Sequence, residues 1–403
     1  MKSENTGIDV WLGIDVGKTH HWATALDSEG EIVFSRMLPN DEEKLRQIYS
    51  KLEDKGRVLV VVDQPATIGA LAVSVAQAMD IMVAYLPGLS MRRIADLHPG
   101  NAKTDKKDAF VIAEAARTMP HTLRALRNLD GREAELRMLT GFDEDLTGQI
   151  TQTRNRIRGL YTQIHPALER VIGPRLDHPA ILAVLQAWPV PDALKKAGRA
   201  RIAAKLKKHG AGHFNDWAGK IMEALSKQTV TVIGTGAAET VIPHLAATLE
   251  GFYNQRTDIT QKIEDLVAGH PLYPVLASMP GNGVRTSAII IAELAGKEFP
   301  NAAALSSYAG LTPRTRQSGT SIRSATSSHT GNKRLKRALY LSAFASIKAA
   351  DPTSRIYYDK KRAEGKRGKQ ALISLAHKRT TVLYAMLRDG TRVSGKNVLM
   401  DAG

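Results

Sequence analysis

The first 125 residues alternate short apolar runs with amphipathic stretches. Val10-Trp11-Leu12-Gly13-Ile14-Asp15 reads as a buried strand that stops on a carboxylate. Residues 21–27 alternate as a second strand, and Ser28-Glu29-Gly30-Glu31 is a hairpin turn into a third at 32–37. The spacing predicts a helix over 42–53, then a strand over 57–63 that is hydrophobic on both faces. A helix over 66–79, a strand over 81–86 and a closing helix over 105–117 follow. An antiparallel meander feeding a parallel, helix-covered half is an α/β layout with a mixed sheet.

Beyond residue 130 the period becomes helical and long. Leu146, Ile150, Thr153, Ile157, Leu160, Ile164 and Ala167 step by four and three residues, the spacing of a coiled-coil seam. Leu245, Leu249, Phe252, Arg256, Ile259, Ile263 and Leu266 repeat it, so the two runs suit pairing with each other or with a second protomer. Between them, 175–231 reads as a helical insert broken by Pro189-Val190-Pro191, Gly198 and Gly210-Ala211-Gly212. Its Lys195, Lys196, Lys205, Lys207 and Lys208 suit a nucleic-acid backbone or a solvated face. The organisation expected is an α/β domain over 8–125, coiled-coil and helical-insert segments over 130–270, and a mainly α C-terminal domain over 271–395. In the last, Met279-Pro280-Gly281-Asn282-Gly283-Val284 resembles the turn of a helix-hairpin-helix, whose backbone N–H groups hold a phosphate.

Chemistry enters through carboxylates. Asp105 and Asp108, three apart at a helix start in Lys103-Thr104-Asp105-Lys106-Lys107-Asp108-Ala109, project from one face and can converge on one point. Acidic groups there also complement the helix dipole without any ligand. Asp15 and Asp63 end two strands of the expected sheet, where such folds place ligand groups. Four carboxylates without Cys or spaced His suit a hard ion, Mg²⁺ or Mn²⁺. Paired ions roughly 3.5–4 Å apart clamp both oxygens of an in-line phosphoryl displacement, the plan of an RNase H-like nuclease.

Charge then selects the substrate. The net charge is +16, yet residues 311–403 hold 20 Lys+Arg against 5 Asp+Glu, leaving +1 for the other 310 residues. A near-neutral body with a strongly basic C-terminal portion calls for a polyanion, most simply nucleic acid. Arg314, Arg316, Arg323, Lys333, Arg334, Lys336 and Arg337 are the candidates for backbone contacts. Ser318, on an expected loop among three of these arginines, is a candidate nucleophile toward a phosphodiester. Ser321, Ser324, Ser327 and Ser328 stand close enough in the chain to compete. The absence of cysteine removes disulfides and thiolate metal sites, and the apolar runs are too short to span a bilayer. A cytoplasmic protein without membrane partners is expected.

Gly13-Ile14-Asp15-Val16-Gly17-Lys18 resembles the first phosphate loop of actin-like ATPases and kinases, but Asp63-Gln64-Pro65 does not supply the second loop they require. Together with Lys103–Ala109, Pro280-Gly281-x-Gly283, Gly310-Leu311-Thr312-Pro313, Ser318-Gly319 and Gly331-Asn332, in that order, it resembles the IS110 family of insertion-sequence transposases over about residues 12–388. The resemblance implies a RuvC-like N-terminal domain with a metal-binding acidic set, a coiled-coil region and a C-terminal transposase domain with a catalytic serine. Asp15, Asp105 and Asp108 match three acidic positions; Asp63 stands where many members carry Glu, and Ser318 matches the serine. It further implies a phosphoserine-linked DNA intermediate and a structured bridge RNA that pairs with target and donor DNA. Subunits would assemble as dimers and tetramers, at the bacterial nucleoid when acting. A RuvC-like nuclease that uses water is the alternative.

Overall fold

The computed structural model describes residues 7–65, 67–98, 104–126, 131–318, 322–327, 331–349 and 352–392; residues 313–318 and 322–327 are described by backbone alone. Lys103 of the acidic stretch, and Gly319, Ser321 and Ser328 beside the candidate serine, lie outside the described residues. The chain divides into two compact units, one of residues 1–133 and 294–308, the other of 134–293 and 309–403.

The first unit is built on a six-stranded sheet. In chain order it runs β1 (Val10–Asp15), β2 (His20–Leu26), β3 (Ile32–Pro39), α1 (Glu42–Glu53), β4 (Val58–Val62), α2 (Ala70–Ala78), β5 (Met82–Tyr85), α3 (Gly88–Ala95), α4 (Asp105–Thr118) and β6 (Arg124–Ala125). The sheet order is β3-β2-β1-β4-β5-β6. β1 pairs antiparallel with β2 and parallel with β4, β4 pairs parallel with β5, and β6 closes the edge antiparallel. This is the mixed sheet expected, with α3 and the two-residue β6 added where the sequence carries no clear period.

Strand alternation gives the sheet two faces. Val10, Leu12 and Ile14 of β1 join Val58, Val60 and Val62 of β4 against Leu45, Tyr49 and Leu52 of α1 and Val73, Val75 and Ala76 of α2. The Tyr49 hydroxyl donates to Ala72 O at 3.0 Å, locking α1 to α2. On the other face Trp11, Leu59, Val61 and Ala84 meet Ile94 of α3 and Val111, Ile112, Ala115 and Ala116 of α4. Gly13 belongs to this second face. A Cβ built there would lie 2.3 Å from Ala109 O and 2.4 Å from Ala113 N, so α4 rests backbone-to-backbone on β1.

The second unit is mostly helical: α5 (Gly131–Ile164), α6 (Pro166–Ile172), α7 (Pro179–Ala187), α8 (Pro191–Lys208), α9 (Phe214–Ser226), α10 (Thr235–Ala268), α11 (Tyr273–Ala277) and α12 (Val284–Leu294). Then come α13 (Ala302–Tyr308), which belongs with the first unit, the strands β7 (Pro313–Ser318) and β8 (Ile322–Ser327), and α14 (Lys333–Ser346), α15 (Thr353–Ala363) and α16 (Gly368–Asp389). Ile150, Ile157 and Ile164 of the expected α5 seam are buried, with Tyr161 replacing Leu160, in one core shared with α6 to α10. The expected α10 seam is kept in part: Leu249 and Ile263 are buried together with Ala238, Ile242, Ala246 and Val267, and Leu245 and Phe252 pack against the core. Arg256, also of the seam, reaches across to Asp143 of α5 at 2.8 Å. α10 packs against α7 as well.

The glycine turn before α12 also differs from its expected use. Gly281 has φ +84°, and a Cβ there would stand 2.4 Å from Ser342 O and 2.6 Å from Ser346 N of α14. Arg379 of α16, itself buried, donates to Pro280 O at 2.6 Å and to Ser342 Oγ at 2.7 Å. The turn is therefore packed against protein on that side, and its glycine serves close helix approach.

Both units can be probed by denaturation. Gly13→Ala forces α4 off β1 and is expected to cost about 1–3 kcal/mol or more, measured as a lower denaturant midpoint. Glu293 is buried in α12 with Arg334 of α14 as its ion-pair partner at 2.6 Å. Glu293→Gln removes the buried charge of this pair while Arg334 keeps its contacts to Glu144 and Thr140, and is expected to cost about 1–3 kcal/mol in the same assay.

Candidate functional site

The register of β1 and β4 decides where the acidic residues stand. Ile14 pairs with Val62, so Asp15 and Asp63 leave the sheet side by side at the carboxyl ends of two parallel strands. The Val16 N–H points to Asp63 Oδ1 at 3.4 Å, and the Gln64 amide lies 3.4 Å from Oδ2. Asp15 shares its strand face with Trp11 and Gly13, and Asp63 continues the alternation of Leu59 and Val61. Both therefore belong to the face that α4 covers.

α4 brings the third carboxylate. Thr104 caps the helix, accepting from Lys107 N at 3.2 Å, and its carbonyl accepts from Asp108 N at 3.0 Å. Asp108 begins the stripe Asp108, Val111, Ile112, Ala115 that faces the sheet, and it is only 7% exposed. A carboxylate so buried, at the end of an apolar stripe, is costly unless something compensates it. Asp105 is one turn further out and exposed. The fold thus brings Asp15, Asp63 and Asp108 to one rim and leaves Asp105 at its edge. As their side chains stand, no three acidic or imidazole groups among the described residues are close enough to hold an ion. Carboxylate oxygens are the donor type that a hard divalent cation takes.

Sequence reading misses His21. It lies on β2, 1% exposed, and its Nδ1 accepts the Gly17 N–H at 3.1 Å. Burial holds its pKa below the ordinary histidine value despite the nearby Asn40 amide and the charge of Asp63. The ring is therefore neutral near pH 7, with its proton on Nε2. It pins the loop after β1, where a Cβ on Gly17 would meet His20 O at 2.1 Å. A single histidine in an alternating strand carries no signal of this role.

In the second unit, Ser318 ends a strand rather than sitting on a loop. β7 and β8 form an antiparallel ribbon whose register runs from Pro313↔Ser327 to Ser318↔Ile322, and Arg314, Arg316 and Ser318 hold every second position of β7. Arg316 is opposite Ser324, and Arg323 is opposite Gln317. α14 follows the ribbon in the chain, and its start is held by side-chain contacts. Asn332 caps α14 by accepting from Leu335 N at 2.9 Å, and its amide donates to Glu293 Oε2 of α12 at 2.5 Å. Besides its pairing with Glu293, Arg334 reaches Glu144 of α5 at 2.9 Å and donates to Thr140 Oγ1 at 2.9 Å. Its guanidinium is thus engaged inside the unit, joining α5, α12 and α14. Lys333 and Arg337 are exposed and Lys336 is half-buried. Among the described residues no helix is long and apolar enough to cross a membrane.

Comparison with known proteins accounts for both halves of this arrangement. Residues 12–166 match a family described as Transposase, the DEDD transposases of IS110 elements, and residues 273–359 match the Transposase IS116/IS110/IS902 family. The chain is 53% identical over 386 residues to the insertion element IS110 43.6 kDa protein of Streptomyces coelicolor, covering 95% of each chain. It is 36% identical over 385 residues to the insertion element IS900 42 kDa protein of Mycobacterium paratuberculosis, covering 94% of this chain and 96% of that one. A shorter match, 34% over 116 residues, is to the pilin gene-inverting protein of Moraxella bovis, covering 28% of this chain and 36% of that one. The six-stranded unit is the RNase H-like DEDD domain, and the chain belongs to the IS110/IS116 family of insertion-element transposases.

Proposed function

We propose that this transposase cuts and rejoins DNA through Ser318, with Asp15, Asp63, Asp105 and Asp108 holding divalent metal, Mg²⁺ or Mn²⁺, at the reacting phosphate. The observation that carries the reading is the rim itself: Asp15, Asp63 and the buried Asp108 occupy one edge of one sheet face. Carboxylate oxygens are the donors that Mg²⁺ and Mn²⁺ take. When bound, the ions polarise the phosphate and neutralise charge on the departing oxygen.

The chain's own residues supply the rest. The Ser318 oxygen attacks phosphorus; the Ser Oγ–P bond forms and the P–O3′ bond breaks, leaving a 5′-phosphoserine and a 3′ oxygen that takes up the proton serine loses. Religation reverses these steps on an exchanged strand, so the number of phosphodiesters is conserved. Arg314 and Arg316, alternating with Ser318 on β7, balance phosphate charge. His21 holds the Gly17 loop beside Asp15 and Asp63, and the Glu293–Arg334 pair holds α14 against α12. Lys333, Lys336, Arg337 and Arg323 hold nucleic-acid backbones. Target and donor DNA are chosen by a structured bridge RNA, so that base pairing reads sequence and the protein reads backbone. The subunits act as an assembled homo-oligomer, a dimer or a tetramer. The Moraxella relative is named for inverting a gene, and inversion is a rejoining reaction of the same kind.

Ser318→Ala is expected to lower covalent protein–DNA adduct by at least about a thousandfold on denaturing gels, with nucleic-acid binding retained. Cleavage that persists without adduct would mean that water, not serine, is the nucleophile. Asp15→Ala and Asp108→Ala are expected to lose cleavage in Mg²⁺ while keeping binding; recombination by either variant contradicts the metal assignment. Sequencing RNA that co-purifies with the protein tests guidance, with one structured species expected and random cellular RNA contradicting it.

A further inference from the structure

The two family matches stop at residue 166 and resume at 273, so the intervening helices belong to neither. They are not a loose insertion. Ile172, Leu185, Leu194, Ile202, Leu206 and Ile221 are buried in the same core as Ile157 of α5 and Leu249 of α10. A rigid helical platform thus stands on the two longest helices of the unit.

One helix of the platform has an unusual charge. α8 carries Lys195, Lys196, Arg199, Arg201, Lys205, Lys207 and Lys208 against a single acid, Asp192. Like charges so spaced repel one another along a helix. Gly198, at φ +72° and ψ 163°, breaks α8 in two, and Arg201 closes the break by donating to Ala197 O at 2.8 Å and Lys196 O at 2.6 Å. In the second half Ile202, Ala203 and Leu206 face the core. Arg201, Lys205 and Lys208, at i, i+4 and i+7, line the opposite side.

The neighbouring helix shows what an ordinary solvated face looks like here. On α9, Lys220 pairs with Asp216 at 2.7 Å and Lys227 with Glu223 at 2.7 Å. None of the seven cations of α8 has a carboxylate partner among the described residues. The Arg201–Lys208 row spans about 10 Å at helical rise. Duplex DNA carries a charge per about 1.7 Å of axis, so the row meets several phosphates at once.

We propose that the outer face of α8 is a docking surface for the sugar-phosphate backbone of duplex DNA, an anchor that neither family-wide match includes. Its row of positive charges complements phosphate, so it acts as a backbone contact that sets position. Its contribution is salt-dependent affinity and placement of DNA on the platform.

The test is titration of full-length protein into labelled duplex DNA across a salt series. Lys196→Gln/Lys205→Gln/Lys208→Gln is expected to lower the slope of log K against log[salt] by about 2–3, at about 0.9 for each phosphate no longer neutralised. Lys220→Gln/Lys227→Gln, which removes already paired lysines, is expected to keep the parent slope. An unchanged slope in the triple variant overturns the proposal. An equal fall in both variants does so too, since that reads net charge and not this face. A fall confined to duplex RNA assigns the surface to the other nucleic acid and likewise overturns it. Ser318→Ala in the same series is expected to bind as the parent does, so failure of the strand-transfer reading and failure of this one are separable.

Discussion

The contact on which the catalytic unit depends is the seating of α4 directly on β1 at Gly13. With no side chain between them, the helix backbone approaches to where even a methyl group would collide with Ala109 O and Ala113 N. That approach sets the height of α4 over the sheet. It fixes Asp108, one residue before Ala109, over the strand face to which Asp15 belongs. The parallel register of β1 and β4 then adds Asp63 without any further device. Residues set on a strand end, a neighbouring strand end and a helix start are held by the scaffold itself, which is what the proposed metal site would require.

The second unit solves a different problem, that of holding a short two-stranded ribbon. An isolated hairpin is only marginally stable. The start of α14, the next helix in the chain, is fastened by Asn332, which caps it and reaches Glu293, and by Arg334, which ties Glu293 to Glu144. The buried charge of Glu293 is costly alone and favourable only with these partners. The arrangement therefore specifies one position for the start of α14. Lys333 of the same helix is exposed, and Arg337, also exposed, lies 3.8 Å from Glu144 at the edge of this network.

Much of this is legible in the sequence. The run from Val10 to Asp15, the two-faced strand ending before Asp63 and the capped helix from Asp105 are written in apolar period and capping chemistry, which local structure obeys. Less legible is anything set by packing between distant segments. Gly13 reads as one residue of a strand, or of a phosphate-loop-like motif, until α4 is placed on it. Gly281 resembles a phosphate-binding turn, yet α14 presses against it. The buried face of α10 keeps Leu249 and Ile263 of the heptad and adds Ala238, Ile242, Ala246 and Val267, because the helix also packs on α7 within a larger core. Arg334 looks like its basic neighbours in sequence, and only the buried Glu293 distinguishes it. Ser318 reads as a loop residue because Gly319 and a polar run surround it, although the alternating pattern Pro313–Ser318 also suits a strand.

The central claim is that the acidic rim holds a divalent cation, and anomalous scattering from crystals grown with Mn²⁺ examines it without recourse to activity. The account predicts manganese with carboxylate oxygens of Asp15 and Asp108 at about 2.0–2.2 Å, and its absence from crystals of Asp108→Asn. Manganese bound elsewhere, or bound equally in Asp108→Asn, would contradict it.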